Sequence, residues 1–316
     1  MAFNRRLDVQ SLAQDGIRSE YDAGIATLGY EDRSSYLWRT YKPRLISSVA
    51  FGFPDSHILS FPRNLKFYKG AGYNVSYPED NEFADSVRAC LRDVSRDQPL
   101  LRVIVDVSSL TRNRIALLCE CFTDEVPGKT LDVDFVYFIA RFQAPTKRER
   151  QNAYAGPVTP RFAGWWRYPE FPIAAVIGLG YEENKALGAV EHLQVPESIW
   201  TFLPASNEPQ YDLELVKANR DLFRRVPSQQ RITYNVEDPF EAYTMLKQLV
   251  SALSETQNVV LLPFGPKLFA LLSILVGIQG HGAAVWRISA GRHERPRDAF
   301  AKSAPIGLRV RFNRAE

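Results

Sequence analysis

One alternating pattern is written twice along this chain, and that duplication constrains the fold more than any single motif. In the first half, GIATLG (24–29) precedes the helical-looking EDRSSYLWRTY; in the second, AAVIGLG (174–180) precedes EENKALGAVEHL. Strand-like runs follow in both, LISSVAFGF (45–53) and SIWTFL (198–203). A Tyr-Asn-Val then recurs, at Tyr73-Asn74-Val75 and Tyr234-Asn235-Val236. Each leads into an amphipathic segment opening on acidic or Asx-type residues that suit a helix N-terminus, 81–94 and 238–253. LRVIVDVS (101–108) running into SLTRNRIALLCECF has its counterpart in NVVLLP (258–263) running into FGPKLFALLSIL. VDFVYFIA (133–140) and AAVWRIS (283–289) close the halves. Landmarks repeated in one order identify a tandem repeat.

Within each half, short β-type runs alternate with longer helix-type segments. Parallel strands need such crossovers, because a hairpin joins only antiparallel neighbours. The runs VIVDV and VVLLP are continuously apolar, as strands covered on both faces are. The expectation is an α/β protein, a tandem duplication of a Rossmann-like parallel-sheet unit forming two pseudo-symmetric halves. Residues 1–145 make the first half, 146–171 a bridge rich in proline and aromatics, and 172–316 the second half with a C-terminal extension. The bridge carries Phe162, Trp165, Trp166 and Tyr168. Disordered linkers are poor in aromatics, so it is expected to be ordered against the body.

Composition narrows the function. A chain of 316 residues with 45% hydrophobic and 24% charged content is globular in type. Its longest apolar stretch, 268–278, is too short to span a bilayer, and the N-terminus MAFNRRLDVQ has no signal core, so a cytoplasmic location without membrane contact is expected. Cys90, Cys119 and Cys121 lack disulfide or metal spacing, and with four histidines no metal site or cofactor is expected. The net charge of +3 is not that of a dedicated DNA binder. Arginines do cluster in TKRER (146–150) and GRHERPR (291–297), each after the last strand of a half.

Ligands of open parallel sheets bind beyond the carboxyl ends of the strands, where strand order reverses. With the first strand of each half central, Gly29, Tyr30, Glu31 and Asp32 would face Ser108, Ser109, Thr111 and Arg112. In the second half Gly178, Gly180, Tyr181 and Glu182 would face Pro263, Gly265, Pro266 and Lys267. Small residues, a helix start, hydroxyls and a basic group together suit a phosphate. Each feature also has a plain structural use. Glu31 and Glu182 suit the helix dipole, Gly29 and Gly180 a tight turn, and Ser108 and Ser109 an N-cap. Asp106, a carboxylate inside an apolar strand, is either a scaffold for loop amides or functional. Tyr30 and Tyr181 suit stacking on a base and equally covering the sheet edge.

The common nucleotide enzymes leave no trace. GLGYEENKALG lacks the third glycine of the dinucleotide fingerprint, and neither GxxxxGK[ST] nor GxSxG occurs. No histidine is placed as a base near SSLT, and Cys119-Glu-Cys121 lacks redox-pair spacing.

The segment VDVSSLTRNRIALL (105–118), a strand ending in Asp and hydroxyl residues before a basic helix start, resembles the ligand-facing motif of CARF-type sensors. It departs from that family in having SSLTR where a glycine-containing loop is favoured. The GYE, DVSS and GPK pattern is also similar to proteins of bacterial defence loci. The resemblance implies a Rossmann-like fold that binds a cyclic oligoadenylate in prokaryotic antiviral signalling, with a tandem repeat standing in for the family's dimer. It implies a protein partner within a defence complex. The expected function is therefore a nucleotide-sensing or regulatory protein binding a phosphate-bearing ligand through Gly29, Tyr30, Ser108, Ser109, Thr111, Arg112, Gly180, Glu182, Gly265 and Lys267. One alternative is a hydrolase of the nucleotide N-glycosidase type, with Glu31 or Asp106 as the catalytic carboxylate. Another is a nucleic-acid-binding scaffold using Arg148, Arg150, Arg292 and Arg295.

Overall fold

The computed structural model describes residues 7–12, 16–54, 57–94, 99–124, 129–144, 154–164, 168–194, 198–206, 209–280, 282–289, 296–302 and 304–313. The chain divides into two compact units: Phe3–Arg141 with Arg295–Glu316, and Phe142–Glu294 with Met1–Ala2.

The first unit holds strands β1 (Leu7–Ser11), β2 (Glu20–Leu28), β3 (Arg44–Gly52), β4 (Asn74–Ser76), β5 (Leu100–Asp106) and β6 (Thr130–Tyr137). Its helices are α1 (Tyr36–Thr40), α2 (Phe61–Gly70), α3 (Asp80–Val94) and α4 (Arg112–Asp124). In the second unit lie β7 (Tyr154–Pro157), β8 (Ile173–Gly178), β9 (Ser198–Ala205), β10 (Arg231–Asn235), β11 (Asn258–Pro263) and β12 (Ala284–Ser289). Its helices are α5 (Lys185–Leu193), α6 (Pro209–Ala218), α7 (Arg220–Phe223), α8 (Pro239–Leu253) and α9 (Lys267–Ile278). The last strand, β13 (Ile306–Phe312), returns to the first unit.

The two sheets repeat one winding. The first has the order β1-β13-β6-β5-β2-β3-β4 and the second β10-β9-β8-β11-β12-β7. In both, five strands run parallel with the first strand of the repeat, β2 or β8, in the centre. The chain reverses its direction of winding between that strand and the fourth, β5 or β11. The α/β duplication read from the sequence is thus the observed architecture.

Local chemistry accounts for the elements. β11 is buried along its whole length and α9 at every position from Leu268 to Ile278, as their nearly unbroken apolar runs require; the exceptions, Asn258 and Ser273, bond to backbone carbonyls. α8 starts where Asp238 accepts the Glu241 amide at 3.0 Å, with Pro239 just inside. Two cores result. In the first unit, Trp38, Tyr68, Ile104 and Phe138 pack over one sheet face, while Phe122, Phe135 and Phe312 meet on the other. Ile177, Val260, Leu262 and Leu222 centre the second unit.

The C-terminal residues correct the expected division. The sequence reading attaches them to the second half, but β13 pairs antiparallel with β6 and β1 in the first sheet. Its alternation explains this choice. Leu308, Val310 and Phe312 are buried on one face, and Arg309 on the other meets Asp134. Gly307 lies against the Phe135 carbonyl, 1.9 Å from where a β-carbon would stand, so only glycine fits there.

A buried ion network fastens this edge. Arg309 grips both oxygens of Asp134, at 2.7 and 2.9 Å, and Tyr21 donates to the same carboxylate at 2.6 Å. Arg18 donates to Asp132 at 2.6 Å. Burial, reinforced by the Asp134 charge, raises the Tyr21 pKa far above its ordinary value.

Of the expected bridge, β7 adds an antiparallel edge to β12 and Phe162 is buried. Tyr168 is exposed, and Trp165 and Trp166 lie outside the described residues. Cys90, Cys119 and Cys121 are buried thiols that form no disulfide with one another. Among the described residues no helix is long and apolar enough to cross a membrane, and no cluster of metal-ligating side chains occurs.

Candidate ligand site at the strand ends

The Gly-Tyr-Glu corner of the first unit forms where β2 and β5 part. Their pairing runs from Ala23 opposite Val103 to Ile25 opposite Val105, yet β2 continues to Leu28. The turn is held by Ser34, whose hydroxyl accepts the Gly29 amide at 3.1 Å and donates to the Thr27 carbonyl at 2.8 Å. Asn64, fully buried on α2, donates to the carbonyls of Gly29 (3.0 Å) and Glu31 (2.9 Å) and accepts from Ser35 (2.7 Å). Tyr68 adds a bond to the Ser34 carbonyl at 2.6 Å. These bonds replace the long helix expected after the corner with a tight 3-10 turn, Asp32–Ser35, and the five-residue α1. Thr27 Oγ1, buried below the corner, has no hydrogen-bond partner among the described residues.

The structure brings Glu31 and Ser109 together. The Ser109 hydroxyl donates to Glu31 Oε2 at 3.2 Å, and Arg33 Nε donates to the same oxygen at 2.7 Å. Arg33 is itself anchored, donating to the Phe138 carbonyl at 2.9 Å. Burial works to lower the Arg33 pKa, but the neighbouring Glu31 and Tyr137 outweigh it and the guanidinium stays charged. A β-carbon added to Gly29 would stand 3.4 Å from Ser109 Cβ, so the two loops touch at their base. Tyr30 is partly exposed at the lip, and its carbonyl accepts the Ser60 amide at 3.0 Å.

Other expected ligand groups do structural work. Ser108 is fully buried, and its hydroxyl accepts the Phe138 amide at 2.9 Å, tying the end of β5 to that of β6. The N-cap is Thr111, which accepts the Arg114 amide at 3.2 Å; neither serine has that role. Asp106 accepts the Ser108 amide at 2.9 Å, which closes the strand end. Its charge adds to burial in holding the Tyr68 pKa well up, so the two groups are close. Arg112, part-exposed, opens α4 at the mouth.

Arg114, two residues further on, stands with Arg112 in the sequence as a second basic group for a phosphate, but in the structure its guanidinium is engaged within the fold. Its buried guanidinium donates to the Gly52 carbonyl (2.9 Å), the Pro78 carbonyl (2.7 Å) and Asp80 (3.0 Å), and lies 4.0 Å from the Phe53 ring. It gathers the ends of β3 and α3 at the mouth. The spacing Thr-x-x-Arg carried no sign of this, since the acceptors are distant carbonyls. Asp298, which sequence reasoning missed, enters the mouth from the C-terminal segment: it accepts the Asp32 amide at 2.6 Å and the Ser60 hydroxyl at 2.5 Å.

In the second unit the equivalent corner is closed. β8 and β11 stay paired to their last residues, Gly178 opposite Pro263, and the Gly178 carbonyl then takes the amides of Phe264 (2.9 Å) and Gly265 (3.0 Å). Gly265 sits on the Leu179 carbonyl, 2.2 Å from where a β-carbon would stand, so only glycine fits. The Gly180 carbonyl accepts from Asn219 at 2.7 Å. Glu182 is exposed and ion-paired with Lys185, and Tyr181 packs beside Tyr211 with ring centroids 5.8 Å apart. Lys267, part-exposed, opens α9. Neither Gly29 nor Gly180 takes a left-handed backbone, so a positive-φ turn is not their reason. Arg148, Arg150, Arg292 and Arg295 lie outside the described residues.

No protein-family model matches the chain, and no curated protein matches it in sequence.

Proposed function

We propose that this protein is a nucleotide-sensing or regulatory protein, with its ligand at the mouth between β2 and β5 of the first unit. The observation that carries this reading is the early end of the β2–β5 pairing at the topological switch point, with Glu31 and Ser109 meeting across the gap. Arg112 is the group assigned to a ligand phosphate, and Glu31 and Tyr30 border the remainder of the ligand. The similarity of VDVSSLTR to CARF-type sensors supports a nucleotide and a place in a prokaryotic defence system. Ser108 and Thr111 are removed from the expected ligand set, because each hydroxyl already serves the scaffold.

Glu31 accepts from Arg33 and Ser109, and Asp106 accepts from the Ser108 amide; a carboxylate held in this way suits ligand binding and equally a base or nucleophile, so turnover is what separates the two readings. The test is mass spectrometry of small molecules released by denaturing the purified protein after incubation with a panel of linear and cyclic nucleotides. An intact nucleotide kept by the wild type and lost on Arg112→Ala supports the reading. A cleaved base or sugar phosphate that vanishes in Glu31→Gln makes the protein an enzyme instead.

A further inference from the structure

Beside the Glu31–Ser109 contact, four charged groups form a second cluster at the same mouth. The Asp32 carboxylate receives two guanidinium groups, Arg39 at 3.1 Å and Arg63. Arg63 also donates to the Ser60 hydroxyl at 3.0 Å, and its side chain is 53% exposed. Arg39 Nε is buried and has no hydrogen-bond partner among the described residues. Against Asp32 alone, these two arginines leave one positive charge in excess. Asp298 removes that excess: its carboxylate oxygens accept the Asp32 amide at 2.6 Å and the Ser60 hydroxyl at 2.5 Å. A backbone N–H and a hydroxyl converge on the two Asp298 oxygens, and Arg63, bonded to the same Ser60 hydroxyl, brings a surplus guanidinium charge beside them; together they form an anion receptor, and in this structure the anion is the chain's own.

Asp298 is tied on a short segment whose other bonds lie mainly further along. Phe300 accepts the Arg141 amide at 2.9 Å, Ala301 bridges Ala140, and Lys302 donates to the Ile139 carbonyl at 2.9 Å. Beside Asp298, the Arg33 amide ties the segment to the corner by donating to the Ala299 carbonyl at 3.0 Å. Residues 300–302 therefore keep the segment docked through contacts that do not involve the receptor.

We propose that Asp298 is a built-in competitor for an oxyanion site made by the Asp32 amide, the Ser60 hydroxyl and the Arg63 guanidinium, and that the site takes a phosphate group of the ligand when Asp298 leaves. The inference deepens the reading of this mouth as a nucleotide site and rests on it for the ligand's identity. It gives the mouth a second phosphate position, separate from Arg112. Occupancy has a structural consequence, because an arriving phosphate displaces residues 298–299 while 300–302 stay anchored.

The probe is inorganic phosphate, titrated by calorimetry at low ionic strength into wild type, Asp298→Ala and the double variant Asp298→Ala/Ser60→Ala. Asp298→Ala is expected to bind phosphate at least ten-fold more tightly than wild type, and the double variant to lose most of that gain. Equal affinity of wild type and Asp298→Ala, with both folded by circular dichroism, overturns the proposal. Should Asp298→Ala fail to fold, hydrogen exchange of the wild type decides: added phosphate should speed exchange of the Arg33 amide, released from the Ala299 carbonyl, and leave Lys302 unchanged. No change at the Arg33 amide at saturating phosphate overturns it. A gain for phosphate with no nucleotide retained in the panel experiment keeps the receptor and removes the nucleotide reading. Nucleotide retention without the gain does the reverse.

Discussion

The two halves share a strand order and differ at the one place where that order creates a ligand site. In the first, pairing of the central strand with its fourth-strand neighbour stops at Ile25, three residues before β2 ends. In the second, pairing runs to the final residues and continues into the loop, where Gly265 presses onto the Leu179 carbonyl. The first mouth is bordered by side chains that carry charge: Glu31, Arg33, Arg63 and Asp298. The second is closed by backbone. A duplicated fold thus keeps the winding that positions a site while one copy uses the strand ends for packing instead.

The comparison can be broken at its strongest joint first. Removing one partner of a buried ion pair leaves the other unpaired and costs about 3–5 kcal/mol. Arg309→Ala, which takes the two-point partner from the fully buried Asp134 and leaves it Tyr21 and the more distant Arg18, should therefore cause the largest loss of stability in the first unit, measured by denaturant unfolding. A loss below about 1 kcal/mol would mean that β13 is not what fastens that sheet edge. Next come the two corner glycines. Gly265→Ala forces a methyl into a carbonyl and should cost about 1–3 kcal/mol, whereas Gly29→Ala meets only ordinary contacts and should stay below that. Equal costs would erase the distinction between an open and a closed corner. Thr111→Ala removes the N-cap of α4 and should cost about 1 kcal/mol while sparing ligand retention. Loss of retention with little loss of stability would return Thr111 to the ligand set.

The last effect is with pH. Tyr21, Tyr68 and Tyr73 all have pKa values raised in the folded first unit, burial being the leading cause for each. A group whose pKa is raised by folding lends its full stability below the unfolded value, about 10 for tyrosine, and loses it as pH climbs toward the folded value. The midpoint of thermal unfolding should therefore fall as pH rises above 10. A midpoint flat from pH 9 to 11 would count against burial of these rings.

Much of this was legible in the sequence. The apolar runs of β5, β8 and β11 and the amphipathic α3 and α8 announce a parallel sheet with covered faces, and the repeat places Gly29 and Gly180 at equivalent corners. The destination of β13 was not legible: its alternation shows one buried face, but Asp134, which meets Arg309, lies 175 residues earlier. At the site, the expectation that the loops after β2 and β5 face each other agrees with the Glu31–Ser109 hydrogen bond, because strand order fixes which loops meet. Which hydroxyls remain available was hidden. Ser108 and Ser109 are neighbours of the same type, yet one faces the Phe138 amide and the other Glu31. Only the chain's path after β5 separates them. Asp298 was beyond reach for the same reason as β13, since nothing near it in sequence names Asp32 or Ser60 as its partners.

The central claim is that the first mouth binds and the second packs. Its most direct test is nucleotide retention measured in parallel on wild type, Arg112→Ala and Lys267→Ala, with each protein loaded from the same panel and released by denaturation. Retention by wild type and Lys267→Ala, with loss in Arg112→Ala, is the predicted result. Retention that survives in Arg112→Ala and disappears in Lys267→Ala would contradict the account and place the ligand in the second unit.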